Sequence, residues 1–301
     1  MFNLENVLVV VDPYAANDHV LQRVRYLQRM DDFDVHLVSA DYTQYLVEGY
    51  YFDSVELERL RREYLDERKE ALEQIAETLP AMGLRVTTSA HWGHPAYRVI
   101  VDAVRDTKAD LVIQGGRNHS LAARIFLSHD DWQLVKHCPV PLMTVHDREM
   151  TEPPRILCPV DPFHRRSKPS GLDHQLIGIG KRLHDEAGGE LYVMHSYHQP
   201  PLSGHYPAEA ELQHRQALDE ISEEFDVPQD RRILRADPSE LAIQRVEQNF
   251  SIDIIIMGAV SRSLMLDLFI GSTTERVLDY VDADILIVKP AGATANKTQA
   301  A

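Results

Sequence analysis

Cysteine is nearly absent: the 301 residues hold two, Cys138 and Cys158. Two thiols make no disulfide framework, which separates the chain from small stapled secreted domains and suits a reducing compartment. Positive charge is short as well. Lys and Arg total 31 against 47 Asp and Glu, a formal net charge of −16 with His neutral. A general nucleic-acid binder needs the opposite balance to meet a phosphate backbone, although a local basic pocket for one small anion is compatible with this charge. Long apolar runs are missing too, so no membrane span is expected. The first run, residues 7–11, is short and has no basic leader before it, so no signal peptide is expected and the cytoplasm is the expected location. Two catalytic signatures are also lacking. There is no Walker A pattern and no Gly-x-Ser-x-Gly elbow, and no Ser-His-Asp set can be proposed from order or spacing. Efficient catalysis is therefore not expected.

What the chain does have is a core-sized apolar fraction, 44%, and an internal repeat. Asn6-Val7-Leu8-Val9-Val10-Val11-Asp12-Pro13-Tyr14 returns as Arg155-Ile156-Leu157-Cys158-Pro159-Val160-Asp161-Pro162-Phe163, an offset of 149. Ala109-Asp110-Leu111-Val112-Ile113-Gln114-Gly115 returns as Ile252-Asp253-Ile254-Ile255-Ile256-Met257-Gly258, an offset of 143. The same offset carries 124–127 onto 267–270 and 141–145 onto 284–288. Matched segments in one order mean two copies of one unit, and the smaller second offset gives the first copy a longer middle segment. Residues 147–154, polar and ending in Pro153-Pro154, read as a short linker. The expected domains are 1–148 and 154–291.

Within a copy, the runs 7–11, 35–39, 111–113 and 141–145 are short, rich in Val, Ile and Leu, and do not alternate with polar residues. That is the pattern of strands covered on both faces, hence of a parallel sheet; residues 84–92 give a weaker strand signal. Helical spacing falls between them. Ala96, Val99, Ile100, Ala103 and Val104 share one face, as do Leu176, Ile179, Leu183 and Ala187. The charged run 55–79 carries Leu57, Leu60, Tyr64, Leu65, Leu72, Ile75 and Leu79 on one side, and its Glu and Arg residues predict a solvated face laced by i,i+4 pairs. Alternating strands and helices predict an α/β fold of two tandem doubly wound parallel five-stranded sheets, with ligands taken beyond the carboxyl ends of the strands.

One stretch carries ligand chemistry. The predicted strand 254–256 runs into Met257-Gly258-Ala259-Val260-Ser261, and Gly271-Ser272-Thr273-Thr274-Glu275 then opens a predicted helix over 273–280. Ser272 and Glu275 form a capping box. Glycines 258 and 271 admit a close approach by a ligand. Free amides at the helix start, with the hydroxyls of Ser272, Thr273 and Thr274, suit a phosphate chain. In the first copy Asn118 stands at the position of Ser261, and Ser128-His129-Asp130-Asp131-Trp132 replaces 271–275. Two carboxylates there repel a polyphosphate.

Gly258-x-x-Ser261, nine residues, then Gly271-Ser272 resembles the motif of the universal stress proteins that bind ATP, Gly-x-x-Gly-x9-Gly-Ser/Thr, with Ser261 in place of the second glycine. The first strand ending in Asp161-Pro162 is similar to that family's adenine-side aspartate. The resemblance covers nearly the whole chain and fits the tandem bacterial members best. It implies ATP, ADP or AMP as ligand in the second copy, held by Asp161, Pro162, Val193, Met257, Gly258, Ser261, Arg262, Gly271, Ser272, Thr273 and Thr274, with at most slow hydrolysis. It also implies two halves arranged as a pseudo-dimer through 141–145 and 284–288, with a homodimer a further option. The competing reading is a nucleotide-free scaffold acting through partner proteins. A third is a metabolite held by the aromatic segment of Tyr42, Tyr45, Leu46, Tyr50, Tyr51 and Phe52. Arg165, Arg166 and Lys168 follow Asp161 and can reach a phosphate or lie in solvent. His195 and His198 lack a third ligand at metal-site spacing.

Overall fold

The computed structural model describes residues 2–46, 53–79, 83–115, 129–163, 171–197, 208–259 and 272–289. It divides into two compact units, which part between Asp147 and Arg148. The expectation for Tyr50, Tyr51, Phe52, Arg165, Arg166, Lys168 and His198 lies outside the described residues, as does that for Ser261, Arg262 and Gly271.

The N-terminal unit runs β1 (Asn6–Val10), α1 (Asp18–Leu27), β2 (Asp34–Asp41), α2 (Ser54–Ala76), β3 (Val86–Trp92), α3 (Ala96–Thr107), β4 (Leu111–Gly115), α4 (His129–His137) and β5 (Leu142–Val145). The C-terminal unit runs β6 (Arg155–Val160), α5 (Leu172–Ala187), β7 (Glu190–Ser196), α6 (Ala208–Glu223), β8 (Arg232–Arg235), α7 (Ser239–Phe250), β9 (Ile254–Gly258), α8 (Ser272–Tyr280) and β10 (Asp284–Val288). Each unit is a five-stranded parallel sheet, in order β3-β2-β1-β4-β5 and β8-β7-β6-β9-β10. This is the doubly wound order, with a switch point between the first and fourth strands. The central strands are buried because helices cover both faces: Val7, Leu8, Val9, Leu111, Val112 and Ile113 are fully covered in one unit, and Ile156, Leu157, Cys158, Ile255 and Ile256 in the other.

Local chemistry sets the helix ends. Asp53 accepts from the amide of Glu56 at 2.9 Å and caps α2. Gly171 and Gly188 take φ of +82° on either side of α5, a conformation open to glycine at little cost. Within α5, Gly180 lets the helix settle onto the sheet; a Cβ there would stand 2.7 Å from both the Cys158 thiol and Leu191 Cδ1. Both cysteines are free and buried, and burial pushes the Cys158 thiol far up, leaving it unreactive. Among the described residues no helix is long and apolar enough to cross a membrane.

Ser272 lies within α8, which is described over Ser272–Tyr280. One expectation changes. The charged face of α2 is not wholly solvated. Arg59 does lie in the expected pairs with Glu56 and Glu63, but Arg61 reaches over the Trp92 ring and Arg68 turns inward, its side chain only 16% exposed.

Candidate functional site

In the C-terminal unit β6 and β9 lie side by side at the switch point. Their ladder pairs Ile156 with Ile254 and Leu157 with Ile255 and goes no further, while β6 stays paired with β7 through Val160 and His195. Proline 159 explains the parting. It has no N–H to give, and in a strand still bonded to β7 along its whole length the missing donor is one for β9. In the N-terminal unit valine stands at that place, and β1 and β4 remain paired as far as Val10 and Gln114. The shorter ladder between β6 and β9 thus follows from one residue.

Beyond the carboxyl ends of β6 and β9 stand several of the residues singled out by sequence. Asp161 follows β6 half-buried, and Pro162 beside it is buried. Gly258 ends β9, level with Val288 of β10. Thr274, buried in the first turn of α8, donates its hydroxyl to the Gly258 carbonyl at 3.4 Å, which ties the helix start to the strand end; Thr273 beside it is half-buried. Met257 is buried and faces into the sheet beside Ile287. Val193 is fully buried within β7, paired with Cys158, two residues short of the strand level that Val160 and His195 share.

Gly258 itself has a packing reason. A Cβ added there would lie 2.7 Å from Leu172 Cδ2, at the start of α5. Gly115, its counterpart, is in the same position toward α1, where a Cβ would lie 2.9 Å from Val20 Cγ2. Glycine is kept at both places because a helix presses on the end of the fourth strand, and it is kept even where no phosphate-type motif follows. In the N-terminal unit that motif has become internal structure. The Asp131 carboxylate is buried and accepts from the Gln114 side-chain amide, while Asp130 accepts from the Ala96 amide at 3.1 Å at the start of α3. The two carboxylates are engaged by the protein's own donors.

A cluster that sequence reading missed lies at the end of β7. His195, 1% exposed, faces the Val160 carbonyl through Nδ1 at 3.1 Å and His214 of α6 through Nε2 at 2.8 Å. Since a carbonyl only accepts, Nδ1 of His195 carries the proton, and Nε2 accepts from Nδ1–H of His214. Phe163 packs on both imidazoles, with ring centroids 5.9 Å from His195 and 4.3 Å from His214, and Tyr197 stacks on His214 at 4.7 Å. The residues come from three segments of the sequence, the ends of β6 and β7 and the middle of α6, so no local spacing could reveal the cluster. The metal reading of this region gains no third ligand: no group of three or more His, Cys, Asp or Glu suited to a metal occurs among the described residues.

The buried imidazole makes stability depend on pH. Burial pushes His195 below its ordinary value of 6.5, and His214 adds to this, against the opposing pull of the Val160 carbonyl, Asp161 and Asp173. The folded protein therefore holds His195 neutral at a pH where the unfolded chain takes up a proton. Its stabilising share is complete above the unfolded value and is lost as pH falls through and below about 6.5. The melting temperature of the protein is expected to drop between about pH 7.5 and about pH 5.5, and to drop less in His195→Gln. Calorimetry at both pH values checks this; an equal drop in the variant would place the sensitivity elsewhere.

Comparison with known proteins agrees with the fold and the repeat. A family model described as the universal stress protein family matches twice, over residues 3–146 and 154–289. Universal stress protein E of Photorhabdus laumondii is 22% identical over 97% of both chains, and that of Escherichia coli K12 is 20% identical over 95% of this chain and 94% of the other. Among solved structures, a universal stress protein from Archaeoglobus fulgidus superposes with a TM-score of 0.70 at 17% identity, covering 94% of this chain and 98% of that one. A functionally unknown protein from Pseudomonas aeruginosa PAO1 superposes with a TM-score of 0.74 at 21% identity, covering 96% and 94%.

Proposed function

The chain belongs to the universal stress protein family, and from that premise we propose that its C-terminal unit binds an adenine nucleotide and acts as a regulatory rather than a catalytic protein. The observation that carries this reading is that the β6–β9 ladder ends after Leu157 and Ile255, which leaves backbone groups of β9 unpaired at the switch point, between Asp161 and the strand end at Gly258. In the proposed mode Asp161 and Pro162 lie on the base side and Met257 and Gly258 on the ribose side. Ser261, Arg262, Gly271, Ser272, Thr273 and Thr274 hold the phosphates through amides, hydroxyls and one guanidinium. The dipole and free amides at the start of α8 favour the anion, even on a chain whose net charge is −16.

Binding to the folded state alone raises stability by about 2.7 kcal/mol when ligand exceeds Kd by about 100-fold, several degrees of melting temperature in a unit of this size. ATP at millimolar concentration is expected to give such a shift. Gly271→Glu, which sets a carboxylate next to the proposed phosphate position, is expected to abolish it. No shift in the wild-type protein would count against the reading.

A second reading is favoured by the packing of Leu172 under Gly258. If the glycine serves only the helix, the family motif persists without a ligand and the protein works as a scaffold through its surfaces. Protein that purifies free of nucleotide and melts unchanged in ATP, ADP and AMP is the outcome that selects this alternative.

A further inference from the structure

The two units treat the carboxyl ends of their first two strands differently, and register makes the comparison residue by residue. Asp12 and Tyr14 correspond to Asp161 and Phe163 in the repeat. Val10 pairs with Val38 and Pro159 with Met194, so three residues further along β2 and β7 Asp41 corresponds to Tyr197. In the C-terminal unit the helix after the second strand sends His214 onto this place, against Phe163, His195 and Tyr197. In the N-terminal unit the equivalent helix, α2, sends an arginine.

Arg68 is held there through both terminal nitrogens, while its Nε is buried without a partner. Nη1 donates to Asp12 Oδ1 at 3.0 Å, Nη2 donates to the Tyr64 hydroxyl at 2.7 Å, and Nη2 lies 3.3 Å from Asp41 Oδ1. Its Cζ stands over the Tyr14 ring at 4.7 Å and near the Tyr64 ring at 5.1 Å. The Arg68 and Asp41 side chains are only 16% and 12% exposed. Tyr14, which lies on the guanidinium, is itself held by α2, its hydroxyl donating to Glu67 at 3.1 Å, and its amide donates to Asp12 Oδ1 at 3.1 Å. Two carboxylates and two aromatic faces around one planar cation are the chemistry that recognises a guanidinium. Asp12, the counterpart of Asp161, has Oδ1 engaged by Arg68 and by the Tyr14 amide, with its side chain 61% exposed.

We propose that the residues at the carboxyl ends of β1 and β2 form a guanidinium-binding site filled in cis by Arg68, so that the unit's own cation engages Asp12 and Asp41 in place of an outside ligand's. The longer middle segment of the first copy supports this: it contains α2, which carries both Arg68 and Glu67. The proposal stands apart from nucleotide binding in the C-terminal unit, and its test uses no nucleotide.

The test is chemical rescue in the full-length protein. Arg68→Ala is expected to lower the melting temperature by at least about 5 °C, because Asp41 is left buried without its cation. Methylguanidinium at low-millimolar concentration is expected to restore half or more of that loss, while methylammonium, with the same charge and no fork, and sodium chloride restore little. Wild-type protein is expected not to respond to any of the three. Should Arg68→Ala not be recovered folded, Arg68→Met, which keeps an apolar stem over Tyr14 and Tyr64, takes its place with guanidinium itself as the probe and the same pattern expected. A variant that melts like the wild type, rescue by methylammonium as strong as by methylguanidinium, or an equal response in wild type and variant would each overturn the proposal.

Discussion

Asp253→Ala is expected to remove about 3–5 kcal/mol of unfolding free energy, the range for breaking a buried charged network by deleting one partner. Asp253 is 1% exposed and sits just before β9, where its two oxygens serve four donors. Oδ1 accepts from the Thr151 amide at 2.9 Å and from Arg148 Nη2 at 3.3 Å. Oδ2 accepts from the Thr151 hydroxyl at 2.5 Å and from the Arg155 amide at 2.8 Å. Removing the carboxylate orphans two backbone amides, leaves the Thr151 hydroxyl only the Pro153 carbonyl and weakens the seat of Arg148, which then keeps Glu247 and the Ile252 carbonyl. Asp110, its counterpart, accepts from only two amides, those of Glu5 and Asn6, each at 2.9 Å. Asp110→Ala is expected to cost less, about 1–2 kcal/mol. Urea titrations of the two variants check the order; Asp253→Ala costing no more than Asp110→Ala would show that the extra bonds to 148–155 contribute nothing.

The same aspartate shows what the sequence reveals and what it hides. The repeat places Asp110 and Asp253 at equivalent positions, and the composition of 147–154 reads as a linker. Nothing in either segment says that the linker is anchored, because an anchor is a pairing between residues about a hundred positions apart. The strands were legible for a physical reason: a parallel sheet covered on both faces needs unbroken apolar runs, and few other structures do. Helices α3 and α5 were legible from their apolar faces. The register of β6 against β9 could have been foreseen in part, since Pro159 in a central strand announces a missing donor.

The candidate site was less legible, and unevenly so. Gly258 looked like a ligand-facing position, but sequence cannot distinguish room for a ligand from room for Leu172. The acidic pair Asp130 and Asp131 looked repulsive to phosphate; what the sequence does not show is that Gln114 and the start of α3 donate to these carboxylates. The charged run of α2 fits a solvated face at Arg59 and fails at Arg68. Helical spacing assigns a side chain to a face, whereas a long arginine can cross from the edge of that face to reach a carboxylate. The imidazole pair His195–His214 depends wholly on tertiary packing.

The second large effect concerns the core that the repeat makes twice. Leu8 and Leu157 are equivalent residues, each fully buried near the middle of the first strand of its unit. Leu8 lies between His36 of β2 and Val112 of β4, and Leu157 between Tyr192 of β7 and Ile255 of β9. Truncating a leucine in such a place removes buried methyl groups and leaves a cavity that a sheet bonded on both sides is poorly able to close. Leu8→Ala and Leu157→Ala are each expected to cost about 2–5 kcal/mol. The two losses are expected to be alike, because the residues stand at equivalent places in their sheets and are equally buried. Chemical denaturation of both variants tests the equivalence of the two cores. Losses below about 1 kcal/mol at either site would mean that the central strand there is not the packed interior its burial describes.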